Sequence, residues 1–272
     1  MYADDGDRRA RVTTGSLVAE LGALGVQAGA TVLVHSSLSR LGRVDGGADA
    51  VIDALLEAVG PTGTVLFPTL TGARQDGPDH PPRIDVRTTP CWTGRIPETA
   101  RQRPDAIRSL HPTHSIAAIG AGAERYAFDH ESGASPCDDH SPYHRLIEDA
   151  GHILLLGDVT QDSNTTIHCL EELADVPYHL QRAITEGIVI DARGRRHTVP
   201  NRLHDWRWER DFLMAEAPLV EAGAVRIGPV GRSTSRLIAA RGLADTILPI
   251  LRDDPLWLLS DAARAQFEAR AY

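Results

Sequence analysis

Thr31-Val32-Leu33-Val34-His35-Ser36-Ser37-Leu38-Ser39-Arg40-Leu41-Gly42, with the segment that follows as far as Thr64-Val65-Leu66-Phe67, decides the fold class. Residues 31–34 are a short apolar run rich in β-branched side chains, which reads as a strand. Val51, Ile52, Leu55, Leu56 and Val59 recur at helical spacing and stop at Gly60-Pro61, which cannot continue a helix. Residues 64–67 are a second strand. Strand, loop, helix, turn and strand in that order make a βαβ unit, and such a crossover joins parallel strands.

Working outward, Leu17, Val18, Leu21 and Leu24 give an amphipathic helix after the possible caps Thr14 and Ser16, with Gly25 and Gly29 beyond its end. Residues 69–90 are rich in Gly, Pro, Asp and Arg and read as a long irregular loop, a kind of segment that is usually functional in a compact domain. A helix over 96–102 and a strand over 115–119 follow. A second irregular stretch, 129–142, precedes a helix over 143–148 and an apolar strand, His152-Ile153-Leu154-Leu155-Leu156-Gly157. Ile188-Val189-Ile190 and Arg196-His197-Thr198-Val199 flank Asp191-Ala192-Arg193-Gly194 as a hairpin. Helices are expected near 212–221 and over 234–251. The chain reads as one α/β domain spanning 1–272.

Composition narrows the chemistry. A chain of 272 residues can bury a sizeable core, and it has no apolar run long enough to span a bilayer. Met1-Tyr2-Ala3-Asp4-Asp5-Gly6-Asp7-Arg8-Arg9 is charged and lacks the apolar core of a secretion signal, so a cytoplasmic protein with no membrane partner is expected. Cys91, Cys137 and Cys169 are odd in number, lack C-x-x-C spacing and read as reduced thiols. The net charge of −9 argues against nucleic acid and is compatible with a cationic small molecule. The chain contains no lysine, so all 28 of its Lys-plus-Arg residues are arginines. That excludes lysine Schiff bases, pyridoxal-phosphate anchoring and a P-loop.

Three segments carry candidate chemistry. In Asp162-Ser163-Asn164-Thr165-Thr166-Ile167-His168-Cys169-Leu170-Glu171-Glu172, the first three residues are good helix caps. Thr165, His168 and Glu171 then fall at i, i+3 and i+6, and Glu172 lies four residues from His168, so both acids reach it. The helix follows a buried strand, at the sheet edge where open α/β folds bind ligands. The loop His35-Ser36-Ser37-Leu38-Ser39-Arg40 offers hydroxyls and a guanidinium to phosphates or a pantetheine arm. Arg108-Ser109-Leu110-His111-Pro112-Thr113-His114-Ser115 sets an arginine and two imidazoles before a strand. Pro112 argues against a helical zinc pair there, and no metal is expected. No G-x-S-x-G elbow supports a serine hydrolase.

Taken together, these segments resemble the antibiotic N-acetyltransferase family, the aminoglycoside 3-N-acetyltransferases and their relatives. The resemblance covers about residues 15–260. It is carried by Val34-His35-Ser36-Ser37-Leu38 with Leu41-Gly42, Gly46-Gly47, Gly63-Thr64-Val65-Leu66, Asp85-Val86-Arg87-Thr88-Thr89-Pro90 with Trp92-Thr93-Gly94, and Arg108-Ser109-Leu110-His111-Pro112. It continues through Ser141-Pro142, Ile153-Leu154-Leu155-Leu156-Gly157, Thr165-Thr166-Ile167-His168 with Glu171-Glu172, and Val176-Pro177-Tyr178. Cys137-Asp138-Asp139-His140 departs from the pattern and has no assigned role.

The resemblance implies a three-layer α/β/α fold with a parallel or mixed sheet, distinct from the common acetyltransferase superfamily. It implies acetyl transfer from acetyl-coenzyme A to an aminoglycoside amine, most readily the 3-amino group of 2-deoxystreptamine, and hence antibiotic resistance. His168 would be the base, Glu171 (with Glu172 as the alternative) would orient it, and Thr165 would stabilise the thioester oxygen. Around it, His35, Ser36, Ser37, Leu38 and Arg40, with Arg108, Ser109 and Ser115, would bind the coenzyme, and Asp85, Glu98, Asp162 and Glu172 the acceptor. The chain would act as monomer or homodimer. The helix N-terminus disfavours a charged His168 and the carboxylate favours it, a balance the sequence leaves open. Competing readings are an acetyltransferase for another amine in secondary metabolism, a metal-dependent hydrolase using His111, His114 and His168, and a silent coenzyme A-binding protein.

Overall fold

The structure, a computed structural model, describes residues 11–270. The charged segment 1–9 lies outside the described residues. The chain opens with α1 (Thr14–Leu24), β1 (Thr31–Ser36), α2 (Gly47–Val59), β2 (Thr64–Pro68), β3 (Arg83–Asp85), α3 (Arg95–Ala100), β4 (Ile107–Arg108) and β5 (Ile116–Gly120). Then come α4 (Ala123–Ala127), α5 (Pro142–Glu148), β6 (His152–Leu156), α6 (Thr166–Leu173), β7 (Thr185–Ile190) and β8 (Arg196–Asn201). It finishes with α7 (Glu216–Glu221), β9 (Val225–Val230), β10 (Ser233–Ala239), α8 (Ala240–Asp253) and α9 (Asp261–Arg270).

The βαβ reading holds. β1 and β2 run parallel, with Thr31 opposite Thr64 and Leu33 opposite Leu66. β6 joins the other side of β1 in parallel, from Val32 opposite His152 to Ser36 opposite Leu156. These three strands form the centre of a seven-stranded mixed sheet ordered β4-β5-β2-β1-β6-β10-β9, whose outer pairings are antiparallel. A smaller sheet, β3-β7-β8, carries the expected hairpin and recruits β3 from the long loop.

Successive strand residues face opposite sides, and both sides are covered. Leu33, Leu66, Ile153 and Leu155 pack with Leu146, Ile167, Leu170 and Leu243 from α5, α6 and α8. Val32, Val34, Val65 and Leu154 pack with Leu17, Leu21, Ile52 and Leu55 from α1 and α2. The result is the three-layer α/β/α architecture that the resemblance implies. No helix among the described residues is long and apolar enough to cross a membrane.

Two boundaries differ from the sequence expectation. Thr13, not Thr14 or Ser16, caps α1, and Thr13 and Ser16 exchange the reciprocal bonds of a capping box. The helix expected over 234–251 begins only at Ala240, because Ser233–Ala239 is β10. β9, at the sheet edge, was also missed. Its outer residues Arg226 and Ile227 are exposed, so it lacks the apolar alternation of a half-buried strand, and only pairing with β10 sets its register.

Candidate active site

β1 and β6 end side by side, and their carboxyl ends release the segments that build the site. β1 ends in His35 and Ser36, while β6 turns at Gly157, whose φ is +88°. A Cβ at Gly157 would lie 2.4 Å from the Ser37 carbonyl oxygen, so only glycine admits the loop this close. After β6 a short 3-10 turn, Gln161–Ser163, precedes α6. The helix therefore starts at Thr166, later than the caps suggested, and Thr165 stands at its N-cap position.

His168 and Thr165 both line a cavity of about 710 Å³. The His168 ring is nearly buried, and its Nδ1 lies 2.6 Å from Glu171 Oε2. Glu171 is fully enclosed, and its Oε1 accepts from Arg210 Nε at 3.0 Å. Burial opposes the charge on Glu171, but Arg210, His179 and the hydrogen bonds from His168 and His179 outweigh it and hold the carboxyl well below its ordinary range. With Nδ1 donating to a carboxylate, Nε2 is the ring nitrogen left for a ligand. The balance left open by the sequence falls towards neutrality: burial lowers the His168 pKa to about 4, against the upward pull of Glu171. His35 sits beside this pair, its Nε2 accepting from the Thr165 N–H at 3.4 Å.

Glu171, then, is the acid on His168. Glu172 points elsewhere, its Oε1 3.1 Å from His204 Nε2 and 3.0 Å from the Cys137 N–H. It lines neither this cavity nor the one described next.

Ser36 lines the first cavity and also a second cleft of about 510 Å³. Ser37, Leu38 and Ser39 line that cleft, with Arg43, Arg95 and Gly47 at the start of α2. The loop after His35 thus spans from the base to an arginine-bearing cleft at a helix N-terminus, an arrangement that suits an anion. Arg40 is exposed and lines neither cavity. Arg43 and Arg95, which the sequence reading did not select, are the arginines that line the cleft.

The segment around Arg108 is enclosed. The Arg108 guanidinium is spent on the carbonyls of Thr69 (3.1 Å) and Thr89 (2.7 Å) and on the hydroxyls of Thr69 and Ser115. Burial lowers its pKa to about 10. Ser109 accepts from the Ile116 N–H and pairs with His130, and Ser115 donates to the Thr69 carbonyl. None of the three lines either cavity: Arg108 and Ser115 tie the long loop to β4 and β5, and Ser109 ties β5 to His130. Of the four acids assigned to the acceptor, only Asp162 lines the large cavity; burial, then the nearby Asp211, raise its pKa. Asp85 is held by Arg87, and Glu98 by Arg101, Gln102 and the Cys91 N–H, both away from the cavity. His111 turns its Nδ1 onto the Thr113 and His114 amides, so it does not join His168, although His114 lines the cavity.

Sequence reasoning missed the wall beside α6. Trp206, Arg207, Trp208, Glu209 and Arg210 line the cavity, with Trp206 edge-on to the His168 ring and Arg210 bonded to Glu171. Their signal was only compositional, a run of aromatic and charged residues with no helical or strand period. Arg207 is paired with Asp205, and Arg210 stacks over Trp206.

The family model described as aminoglycoside 3-N-acetyltransferase matches residues 33–252. Aminoglycoside N(3)-acetyltransferase IV of Salmonella sp is 37% identical over 245 residues, 89% of this chain and 88% of that protein. Aminoglycoside N(3)-acetyltransferase VII of Streptomyces paromomycinus is 34% identical, covering 86% of this chain and 89% of that protein. A solved structure of aminoglycoside acetyltransferase AAC(3)-IVa, a histidine-to-alanine mutant in complex with gentamicin, superposes with a TM-score of 0.80 at 33% identity, covering 94% and 98% of the two chains. The structure described as AAC-IIIb binary with CoASH gives 0.77 at 28% identity, covering 90% and 97%. The chain belongs to the aminoglycoside 3-N-acetyltransferase family.

Proposed function

We propose that the large cavity takes an aminoglycoside, that the arginine-bearing cleft takes acetyl-coenzyme A, and that His168 is the base between them. As a member of its family the protein is an acyltransferase, and acetyl-coenzyme A is its acetyl donor. The observation that carries the residue assignment is the placement of His168. Its Nδ1 is fixed by Glu171 and its ring lines the cavity that meets the cleft at Ser36.

A protonated amine has no lone pair for attack. The ammonium first loses a proton to solvent, the neutral amine then attacks the thioester carbon, and His168 Nε2 accepts a second N–H proton as the carbon–nitrogen bond forms, with Glu171 stabilising the resulting imidazolium. The carbon–sulfur bond then breaks, and His168 returns the proton to the departing thiolate. Thr165, at the N-cap position of α6, is placed to donate to the carbonyl oxygen as charge develops there. Arg43, Arg95 and the N-terminus of α2 meet the coenzyme phosphates, with Ser36, Ser37 and Leu38 along its arm. Asp162 and Glu209 meet acceptor ammonium groups, and Trp206 and Trp208 offer apolar faces to sugar rings. Resistance to the acetylated drug follows from this activity.

The test is a thiol-release assay with acetyl-coenzyme A over a panel of 2-deoxystreptamine aminoglycosides and unrelated amines, with the product's acetylated nitrogen located by NMR. Acetylation at the 3-amino group is expected. Turnover of other amines alone would replace this reading with a role in secondary metabolism. Thr165→Val is expected to lower kcat about tenfold or more, and an unchanged kcat would remove its oxyanion role.

A further inference from the structure

A base is only as well aimed as the acid behind it, so Glu171 must itself be held in place. A carboxylate enclosed by protein needs a cation and fixed donors, or it shifts and takes up a proton. Glu171 has no exposed surface, and among the described residues the arginine paired with it is Arg210, from the loop after β8.

The Arg210 side chain is only 6% exposed, and its N–H groups are divided between two parts of the site. Nε donates to Glu171 Oε1 at 3.0 Å, and Nη2 reaches His179 Nδ1 at 3.1 Å. Nη1 donates to the carbonyls of Asp205 and Trp208, at 3.2 and 3.0 Å. Those two carbonyls bracket the turn that carries Trp206 and Arg207, and Glu209 follows it; all three line the large cavity. The guanidinium carbon lies 5.6 Å from the centre of the Trp206 ring, which stands edge-on to His168. The Arg210 backbone is pinned separately, in an antiparallel bridge to Leu259.

Building on His168 as the base and the large cavity as the acceptor site, we propose that Arg210 is a positioning residue with two separable effects. Its Nε fixes Glu171, and through Glu171 the His168 ring. Its Nη1 fixes the 205–209 turn on which the acceptor rests. Arginine is suited to this because its N–H groups point in fixed directions from one plane, so one side chain holds a carboxylate on one edge and two carbonyls on another. A lysine ammonium is a single point of charge that can meet Glu171 without also bracing both carbonyls. Arg207, in the same turn, differs: it pairs with Asp205 and is 70% exposed. Base alignment and acceptor seating are therefore joined at one guanidinium. Loss of the Glu171 contact is felt in kcat, and loss of the carbonyl contacts in the acceptor KM.

The test is a double-mutant cycle on acetyl transfer to an acceptor that the wild type turns over, with kcat and acceptor KM read separately and folding checked by circular dichroism. Arg210→Met is expected to lower kcat about 10²-fold, the scale of a misplaced catalytic group, and to raise the acceptor KM several-fold. In a Glu171→Gln background the same substitution should lower kcat by less than about threefold more, because the link it breaks is already gone. The acceptor KM should rise there as before. Arg210→Lys is expected to keep kcat within about tenfold of wild type while raising the acceptor KM as Arg210→Met does. An equal loss of kcat from Arg210→Met in both backgrounds would make Arg210 a structural residue and overturn its link to Glu171. An acceptor KM unmoved in every Arg210 variant would overturn its link to the turn. Should Arg210→Met fail to fold, Arg210→Gln takes its place in the cycle; if neither folds, Arg210→Lys decides, and any pattern other than a kept kcat with a raised acceptor KM overturns the proposal. Near-normal kcat in Glu171→Gln alone is a different failure: it would remove the acid–base pair, and this proposal with it.

Discussion

The segment around Arg108 and the first turns of α6 look alike as sequence and differ as structure. Each sets hydroxyls, imidazole and charge beside a strand. The α6 residues stand at the carboxyl ends of the parallel strands β1 and β6, where the chain opens into a cavity. Arg108 and Ser115 lie beside antiparallel strands under the long loop, which consumes their hydrogen bonds. The same residue types line a cavity in one place and anchor a loop in the other, and the sheet decides which.

Substitutions can break that comparison. The largest effect is expected at His168: His168→Gln should lower kcat for acetyl transfer by about 10³-fold with the fold intact by circular dichroism. Near-normal turnover would end its assignment as base. Arg108→Ala should act on stability, costing about 3 kcal/mol because the Thr69 and Thr89 carbonyls lose their buried donor. Denaturant titration measures this, and the KM for acetyl-coenzyme A should stay near wild type. A raised KM at unchanged stability would put Arg108 back among the coenzyme ligands.

Smaller effects sharpen the division of the groove. Arg95→Ala should raise the KM for acetyl-coenzyme A about tenfold, by loss of a charge-assisted contact to phosphate, and the defect should shrink at high salt. A salt-independent defect would point to packing instead. Asp162→Asn should raise the acceptor KM a few-fold, about 1 kcal/mol for one partly exposed ion pair, with kcat little changed. An unchanged acceptor KM would leave Asp162 a solvated acid.

The parts legible in the sequence were those fixed by local period. The βαβ unit, the strand before Gly157 and the 188–199 hairpin followed from apolar spacing and turn residues. That an acid three or four residues on would meet His168 followed from helical spacing, and Glu171 makes the contact, at 2.6 Å. β9 and β10 were not legible: β9 is an exposed edge strand that takes its register from β10, and β10 runs directly into α8 with no turn between them. The wall formed by Trp206, Trp208 and Arg210 was also illegible, since a loop has no period to betray what it faces.

By itself the sequence determined the α/β class, the family and the helix face that presents His168, all of which depend on neighbours a few residues apart or on ordered motifs. Only the tertiary structure decided which of two adjacent acids serves His168. Consecutive helix residues point about 100° apart, so Glu171 turns in towards Arg210 and His168, while Glu172 meets His204, brought from 32 residues away. Those partners come together only when the chain is folded, and spacing along the sequence carries no record of them.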